Sequence, residues 1–276
     1  MFLKKIGAGL SGAFALAGAF LWSTAASALP VDWQTGFQPA PSPVMEWIED
    51  FHRELLVIIV AVSLFVLALL MWIIVRYNQR RNPVPSKTAH NTLLEVAWTL
   101  IPVIILVIIA IPSFRLLYFE ADIPTPDLTI KAIGKQWFWT YEYPASKIAF
   151  DSLGLSDADA AKKGEPRLLG VDNALWVPVN KVVEIDTTGA DVIHSWAMPQ
   201  MGVKMDAVPG RINRTWFKAT KIGTFYGECS ELCGARHAFM PIELHVVSEA
   251  DYSAWLAGAK KKFSASLDTN TRVAAK

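Results

Sequence analysis

Cysteine is scarce in this sequence of 276 residues, and its two cysteines, Cys229 and Cys233, lie in one short stretch. A disulfide between them would close a very short loop, where the entropic gain is smallest and the geometry is strained. No cysteine follows the small-x-small motif at residues 26–28, which excludes a lipoprotein anchor. Lys4 and Lys5 precede an apolar run, so residues 1–28 are predicted to be a secretory signal peptide. The alternative, a third membrane span, is disfavoured because the run is Gly- and Ala-rich and only moderately apolar.

Charged residues are absent from two long stretches, residues 55–75 and residues 96–114. The first has 21 residues and would span about 31 Å as a helix, enough to cross a bilayer. The second contains Pro102 and Pro112, which membrane helices tolerate when neighbouring helices satisfy the freed carbonyls. Two buried helices of a soluble core would not normally be this long and apolar. We therefore predict a transmembrane hairpin over residues 55–118, with spans at 55–75 and 96–118.

Acidic residues are missing from the connection between the spans, residues 76–90, which carries four basic residues. The arm before the first span, residues 29–54, is Pro-rich at its start and mostly acidic near the membrane. Basic loops stay in the cytoplasm. This pattern places the arm, both mature termini and everything after the second span in the periplasm of a bacterial cytoplasmic membrane.

The sequence changes character after residue 119, where short β-rich runs alternate with turn signals and no internal repeat is visible. This spacing predicts an all-β sandwich or barrel of Greek-key type over residues 119–263, large enough for one core. A closing amphipathic helix is predicted over residues 248–263, and a flexible tail over residues 264–276. The predicted strands are residues 128–133, 136–143, 181–187, 192–196, 211–218, 223–227 and 242–247.

Soft metal donors are concentrated in residues 229–240, which offer two thiols, an imidazole and a thioether. Such a set favours copper over magnesium or calcium. An upstream imidazole, His194, completes a pattern similar to that of blue-copper proteins, although the loop has one cysteine more than a mononuclear site uses. Structural zinc rarely takes a methionine ligand, and His194 or Met240 alone would be an ordinary core residue. Taken together, Cys-x3-Cys-x3-His-x2-Met with an upstream His favours copper.

Residues 229–241 read Cys-Ser-Glu-Leu-Cys-Gly-Ala-Arg-His-Ala-Phe-Met-Pro. With His194-Ser195-Trp196 and Pro209-Gly210-Arg211, they closely resemble subunit II of bacterial cytochrome c oxidases, and the resemblance extends over about residues 47–255. It implies a cupredoxin-like domain with a dinuclear copper centre, CuA. It also implies that the Glu231 side chain binds magnesium at the boundary with subunit I, although a solvated or salt-bridged glutamate is the plainer alternative. The copper ligands implied by the resemblance are His194, Cys229, Cys233, His237, Met240 and the main-chain carbonyl of Glu231.

An aromatic cluster occupies residues 134–143. Alternation along one strand would send Trp137, Trp139 and Tyr141 to one face and Phe138 to the other. Core packing is the more common role of such a cluster. The resemblance implies that one tryptophan, matched to Trp137, accepts electrons from cytochrome c, with Trp139 as the competing choice.

Charge is unevenly distributed, since residues 120–251 carry 18 acids and 13 bases, a net charge of −5, although the whole chain is +1. An acidic surface can steer a basic protein into a transient complex. The resemblance assigns the docking of cytochrome c to Glu142, Asp151, Asp172 and Asp191, and the alternative is a solvated acidic surface without a partner.

Glu95 precedes the second span. A carboxylate at this position can simply cap a helix N-terminus. The resemblance implies a further role, at the entrance of a proton channel that leads into subunit I.

These features predict the electron-transfer subunit of a respiratory, proton-translocating cytochrome c oxidase. Electrons would pass from cytochrome c through CuA to heme in subunit I. Oxygen reduction is assigned to subunit I because this sequence has no credible heme or oxygen site. The expected partners are subunit I, further oxidase subunits, cytochrome c and membrane lipid, and no nucleic acid. Three alternative functions fit less well. Quinol-oxidase relatives lack the copper ligands, and the copper domain of nitrous oxide reductase lacks the two-span hairpin. A copper-delivery protein would need neither the paired spans with Glu95 nor the tryptophan strand.

Overall fold

The computed structural model describes residues 31–273, and the side chains of residues 31–263. The predicted signal peptide, residues 1–28, lies outside the described residues, as do the last three residues of the predicted tail. Four α-helices are described: α1 (Pro43–Arg76), α2 (Thr92–Ala121), α3 (Asp157–Lys163) and α4 (Glu249–Val273). Ten strands are described: β1 (Leu128–Lys135), β2 (Phe138–Tyr143), β3 (Ile148–Ser152), β4 (Leu175–Pro178), β5 (Val182–Gly189), β6 (His194–Met198), β7 (Val203–Ala207), β8 (Asn213–Lys218), β9 (Gly223–Cys229) and β10 (Pro241–Val247).

The helices α1 and α2 are the two described helices long and apolar enough to cross a membrane. Most of their apolar side chains are exposed, because only the start of α1 and the end of α2 pack on the sandwich. Both helices extend beyond the predicted spans. Pro102 and Pro112 lie inside α2 without ending it.

The strands form two five-stranded sheets packed as a sandwich, which confirms the predicted all-β domain. The first sheet has the order β3-β2-β1-β5-β8, and the second has the order β4-β10-β9-β6-β7. The β1–β5 and β4–β10 pairs are parallel, and the other pairs are antiparallel. The inward faces bury a core rich in aromatic residues, including Trp139, Tyr141, Trp196 and Phe217.

The aromatic cluster is arranged differently from the prediction. Lys135 pairs with Phe138 at the end of a hairpin, so Gln136 and Trp137 form its two-residue turn and are not part of a strand. The alternation therefore begins at Phe138: Trp139 faces the core, whereas Trp137 is half-buried in the turn. The sequence prediction that Trp137 and Trp139 share one strand face was wrong because Trp137 lies in the turn and only Trp139 lies in the strand.

The start of α1 is anchored in the sandwich. The Ser42 hydroxyl accepts the Met45 amide proton at 3.1 Å and donates to the Met201 carbonyl at 2.7 Å, which caps the helix and fixes it to the domain. Trp47 stacks on Phe119 of α2 at 4.9 Å, and Phe119 meets Trp216 of β8 at 5.5 Å. These contacts position the copper-ligand candidates relative to the membrane hairpin.

Helix α4 closes one side of the sandwich. Trp255 lies 5.3 Å from Tyr143 and 5.8 Å from Trp176, centroid to centroid. The helix continues to Val273, beyond the predicted end at residue 263.

Candidate metal centre

The two cysteines lie side by side at one end of the second sheet. Cys229 is the last residue of β9, and Cys233 follows in the loop that leads to β10. Their sulfur atoms are 3.9 Å apart and both thiols are free. A disulfide requires about 2.05 Å between the sulfurs. Both side chains are buried, so the loop presents a shielded pair of reduced sulfurs.

Each sulfur has its own imidazole neighbour. His194 opens β6, and its Nδ1 atom lies 3.9 Å from the Cys229 sulfur. The Nδ1 atom of His237 lies 3.7 Å from the Cys233 sulfur. Ligand atoms of His194, Cys229 and Cys233 all fall within 4.8 Å of one another, which makes these three residues a possible metal site.

Two weaker donors complete the group. The Met240 sulfur lies 3.5 Å from the Cys233 sulfur, and the Glu231 carbonyl oxygen lies 3.4 Å from the Cys229 sulfur. All the ligand atoms predicted from the sequence are thus next to one of the two sulfurs. Thiolates, imidazoles and a thioether form a soft donor set, buried except for the half-exposed His237, that fits copper and does not fit a hard cation.

The two thiols differ in acidity in the metal-free protein. Burial opposes ionisation of Cys229, but its contacts with His194 and with the Glu231 backbone lower its pKa to about 7. Burial and the adjacent charge of Cys229 raise the pKa of Cys233 to about 12. The Cys229 thiol therefore loses its proton near neutral pH, whereas the Cys233 thiol keeps its proton. A metal that binds both sulfurs must displace the proton of Cys233.

His194 is oriented by contacts on two sides. Its Nε2 atom lies 2.8 Å from the Asp191 carboxylate, which directs the ring proton to Nε2 and leaves Nδ1 facing the sulfur. On the other side the ring packs on Gly134, where an added Cβ atom would come within 2.7 Å of it. Gly134 is needed here because β1 and the imidazole approach so closely.

Asp191 therefore has a role that the sequence analysis missed. It was assigned to the docking surface, but its carboxylate also accepts the backbone N–H groups of Val192 and Gln136, each at 2.7 Å. Partial burial opposes ionisation, but these bonds and the one with His194 lower the pKa of Asp191 below its usual value. The signal available in the sequence was a carboxylate three residues before a candidate ligand.

The two candidate tryptophans lie at different depths. Trp137 is half-buried, and its Nε1 donates to the Cys233 carbonyl at 3.3 Å. Trp139 is fully buried, and its ring centroid lies 6.0 Å from that of His194. Of the two, only Trp137 reaches the surface of the domain.

Of the remaining acids predicted for docking, Glu142 and Asp151 lie on neighbouring strands of the first sheet, and Asp172 lies in the loop before β4. Glu142 is half-buried and lies 3.4 Å from Lys131. Asp151 is exposed, contacts Thr140 and lies 3.9 Å from Lys135. Asp172 is exposed and accepts the Leu153 and Asn173 backbone N–H groups. None is an isolated charge, since each contacts a cation or a backbone donor.

Of the two remaining predicted residues, Glu95 lies away from the metal centre and Glu231 lies at its edge. Glu95 is in the first turn of α2, where its carboxylate accepts the Asn91 backbone N–H at 3.3 Å, a helix-capping contact. Glu231 directs its carbonyl toward the Cys229 sulfur, and its side chain is exposed.

Comparisons with known proteins agree with this architecture. Residues 128–247 match the family model for the periplasmic domain of cytochrome c oxidase subunit II, and residues 30–116 match the model for its transmembrane domain. A probable cytochrome c oxidase subunit 2 of Rickettsia bellii is 52% identical over 233 residues, covering 84% of this chain and 86% of the relative. Cytochrome c oxidase subunit 2 of Cereibacter sphaeroides is 44% identical over 246 residues, covering 82% of this chain and 80% of the relative.

Among solved structures, the periplasmic domain of subunit II of the Bradyrhizobium japonicum cytochrome oxidase is 57% identical, with a TM-score of 0.48, over 51% of this chain and 99% of that one. The family models between them cover both the membrane hairpin and the sandwich, and the relatives match across most of their own length. This chain, with its paired membrane helices and sulfur-rich loop, therefore belongs to the cytochrome c oxidase subunit II family.

Proposed function

We propose that this chain accepts electrons from cytochrome c at a dinuclear copper centre and passes them to heme in subunit I of a proton-pumping oxidase. The observation that carries the proposal is the pair of buried, reduced sulfurs 3.9 Å apart, each with an imidazole beside it. A mononuclear site would use one such sulfur, and a disulfide would leave neither available.

The residues that would hold the two copper ions are those gathered around the sulfurs. Cys229 and Cys233 would hold the ions as thiolates, together with His194, His237, Met240 and the Glu231 carbonyl. When bound, the pair of copper ions supplies one-electron transfer with its charge spread over two metals and two sulfurs.

The contribution of the protein is to anchor the ligands, most of which are buried. His194 is anchored at the start of β6, Cys229 at the end of β9, and Met240 is buried just before β10. These strands are paired in one sheet, so these three donors have little freedom to move when the charge changes. A small rearrangement on reduction is what fast electron transfer requires.

We infer that electrons enter at Trp137. Its ring is half-exposed, and its Nε1–H contacts the carbonyl of a copper-ligand cysteine, so one side chain links the surface with the site. Trp139 is less suited to this role because it is fully buried and has no surface for a partner protein.

Charge supports docking by a basic partner. The domain carries a net charge of −5, Glu142 and Asp151 lie on neighbouring strands of the first sheet, and Asp172 contacts Leu153 just after one of these strands. Asp191 would contribute its charge while it orients His194. Acidic surfaces accelerate the encounter with a cationic protein such as cytochrome c.

The remaining assignments concern the membrane and subunit I. The basic connection between α1 and α2 would face the cytoplasm, with the sandwich and both mature termini in the periplasm. Glu95 would then lie at the cytoplasmic side, at the entrance of a proton channel into subunit I. The exposed carboxylate of Glu231 would bind magnesium at the boundary with subunit I, and further subunits and lipid would surround the hairpin.

The test is copper quantification with electron paramagnetic resonance on the full-length chain, purified in detergent and oxidised. We expect two coppers per chain and one unpaired electron shared equally between them. His237→Ala should abolish this spectrum, whereas His245→Ala, a matched change on β10 outside the site, should preserve it. One colourless zinc per chain, or a Cys229–Cys233 disulfide in the metal-replete protein, would refute the proposal.

A further inference from the structure

Gln136 occupies a central position beside the metal loop. With Trp137 it forms the two-residue turn between β1 and β2, directly opposite the loop that carries Cys233. Its side-chain Nε2 donates to the Cys233 carbonyl at 2.8 Å, which is shorter than the 3.3 Å contact from the indole of Trp137 to the same oxygen. The Cys233 carbonyl thus receives both of its hydrogen bonds from this turn.

The backbone of the same residue reaches the other end of the site. The Gln136 N–H donates to one oxygen of Asp191 at 2.7 Å, and the other oxygen of that carboxylate contacts His194 at 2.8 Å. One residue of the first sheet therefore connects two ligand-bearing segments of the second sheet. Strand β6 already pairs with β9, and the Ser230 N–H donates to the Ser195 carbonyl at 3.0 Å. Gln136 adds a second link from outside this sheet, and this link reaches the loop at Cys233 itself.

The loop is shaped to receive this turn. Gly234 has φ +119°, and an added Cβ atom would lie 3.1 Å from the Gln136 amide nitrogen and 3.2 Å from the Trp137 ring. The positive backbone angle favours glycine, and an added Cβ atom would force the two turn side chains to shift by a few tenths of an ångström. The turn residues therefore rest directly on the backbone of the metal loop.

We propose that Gln136 is a positioning residue that holds the Cys233 loop and the Asp191–His194 pair at a constant separation. It contacts no ligand atom and acts through the two segments that it joins. The inference rests on the proposed copper centre. Outer contacts of this type commonly change metal retention by tenfold or more.

The experiment measures how fast copper is lost from the copper-loaded, full-length chain to an excess of a copper chelator. Gln136→Met keeps the length of the side chain and removes its amide donor. Gln34→Met is the matched control, since the Gln34 amide also donates to a carbonyl, that of Phe37 at 2.6 Å, in the exposed arm away from the site. We expect Gln136→Met to release copper about tenfold faster than the wild type, with altered copper hyperfine splitting, and Gln34→Met to behave as the wild type.

A second measurement separates positioning from general stability. The thermal unfolding midpoint, followed by circular dichroism, should be the same for the two metal-free variants. Copper loss from Gln136→Met at the wild-type rate would overturn the inference, as would faster loss matched by a lower unfolding midpoint. Failure of the proposed function would instead appear in the wild type, as an absence of two bound coppers before any variant is made.

Discussion

Substituting Gly134 by alanine tests whether the close packing of β1 against His194 determines the metal centre. The new Cβ atom would lie 2.7 Å from the Cγ and Cδ2 atoms of the ring. Carbon atoms prefer about 3.5–4.0 Å, so the contact would be short by about 1 Å. The ring cannot easily retreat, because Asp191 holds its Nε2 at 2.8 Å and it packs near the buried indole of Trp139.

The expected cost can be stated as a loss of copper affinity. Overpacking a well-filled site costs about 1–3 kcal/mol. If this cost falls on the oriented imidazole of His194, copper binding becomes roughly 5- to 150-fold weaker, since about 1.4 kcal/mol is a factor of ten. The assay is chelator competition on the full-length chain, with the hyperfine pattern as a second readout.

Gly258→Ala is the matched control. Gly258 lies in α4, and an alanine Cβ atom there would meet no other atom within 4 Å. Because glycine inside a helix is destabilising relative to alanine, this variant should gain about 0.5–1 kcal/mol of stability with unchanged copper binding. If Gly134→Ala bound copper with wild-type affinity and an unaltered spectrum, the argument that β1 confines His194 would be wrong.

Further predictions concern electron entrance, docking, acidity and protons. Trp137→Phe should slow reduction by cytochrome c steeply while leaving the copper spectrum unchanged, and the same result for Trp139→Phe instead would show that the wrong tryptophan was assigned. Raising the salt concentration should slow the association with cytochrome c by about tenfold or more, and a rate indifferent to salt would count against docking by charge. In the metal-free chain, ultraviolet thiolate absorbance should show that Cys229 ionises as the pH rises through about 7. Cys233 should stay protonated at a pH that ionises an ordinary thiol. Ionisation of both thiols at the same pH would contradict the described contacts. Glu95→Ala should lower turnover and proton pumping in the assembled oxidase, and unaltered turnover and pumping would leave only its helix-capping role.

Several strands were missed from the sequence for a common reason. The strands β3, β4 and β7 are four or five residues long, and β4 ends in a proline. Such short runs form strands because long-range partners provide their hydrogen bonds, as β10 does for β4 through parallel pairing. Local propensity has little influence on their formation.

The sequence by itself determined the features that depend on neighbouring residues. The two uncharged runs predicted the membrane helices from length and composition, and the spacing from Cys229 to Met240 predicted a copper-binding loop because its donors are local. Only the tertiary structure decided what surrounds that loop. The contacts of Gln136 with Asp191 and Cys233, and the close approach of Gly134 to His194, join segments that are far apart in the sequence, and no local pattern encodes those distances. The sequence specifies which donor residues are present, whereas the packing of the two sheets sets their orientation.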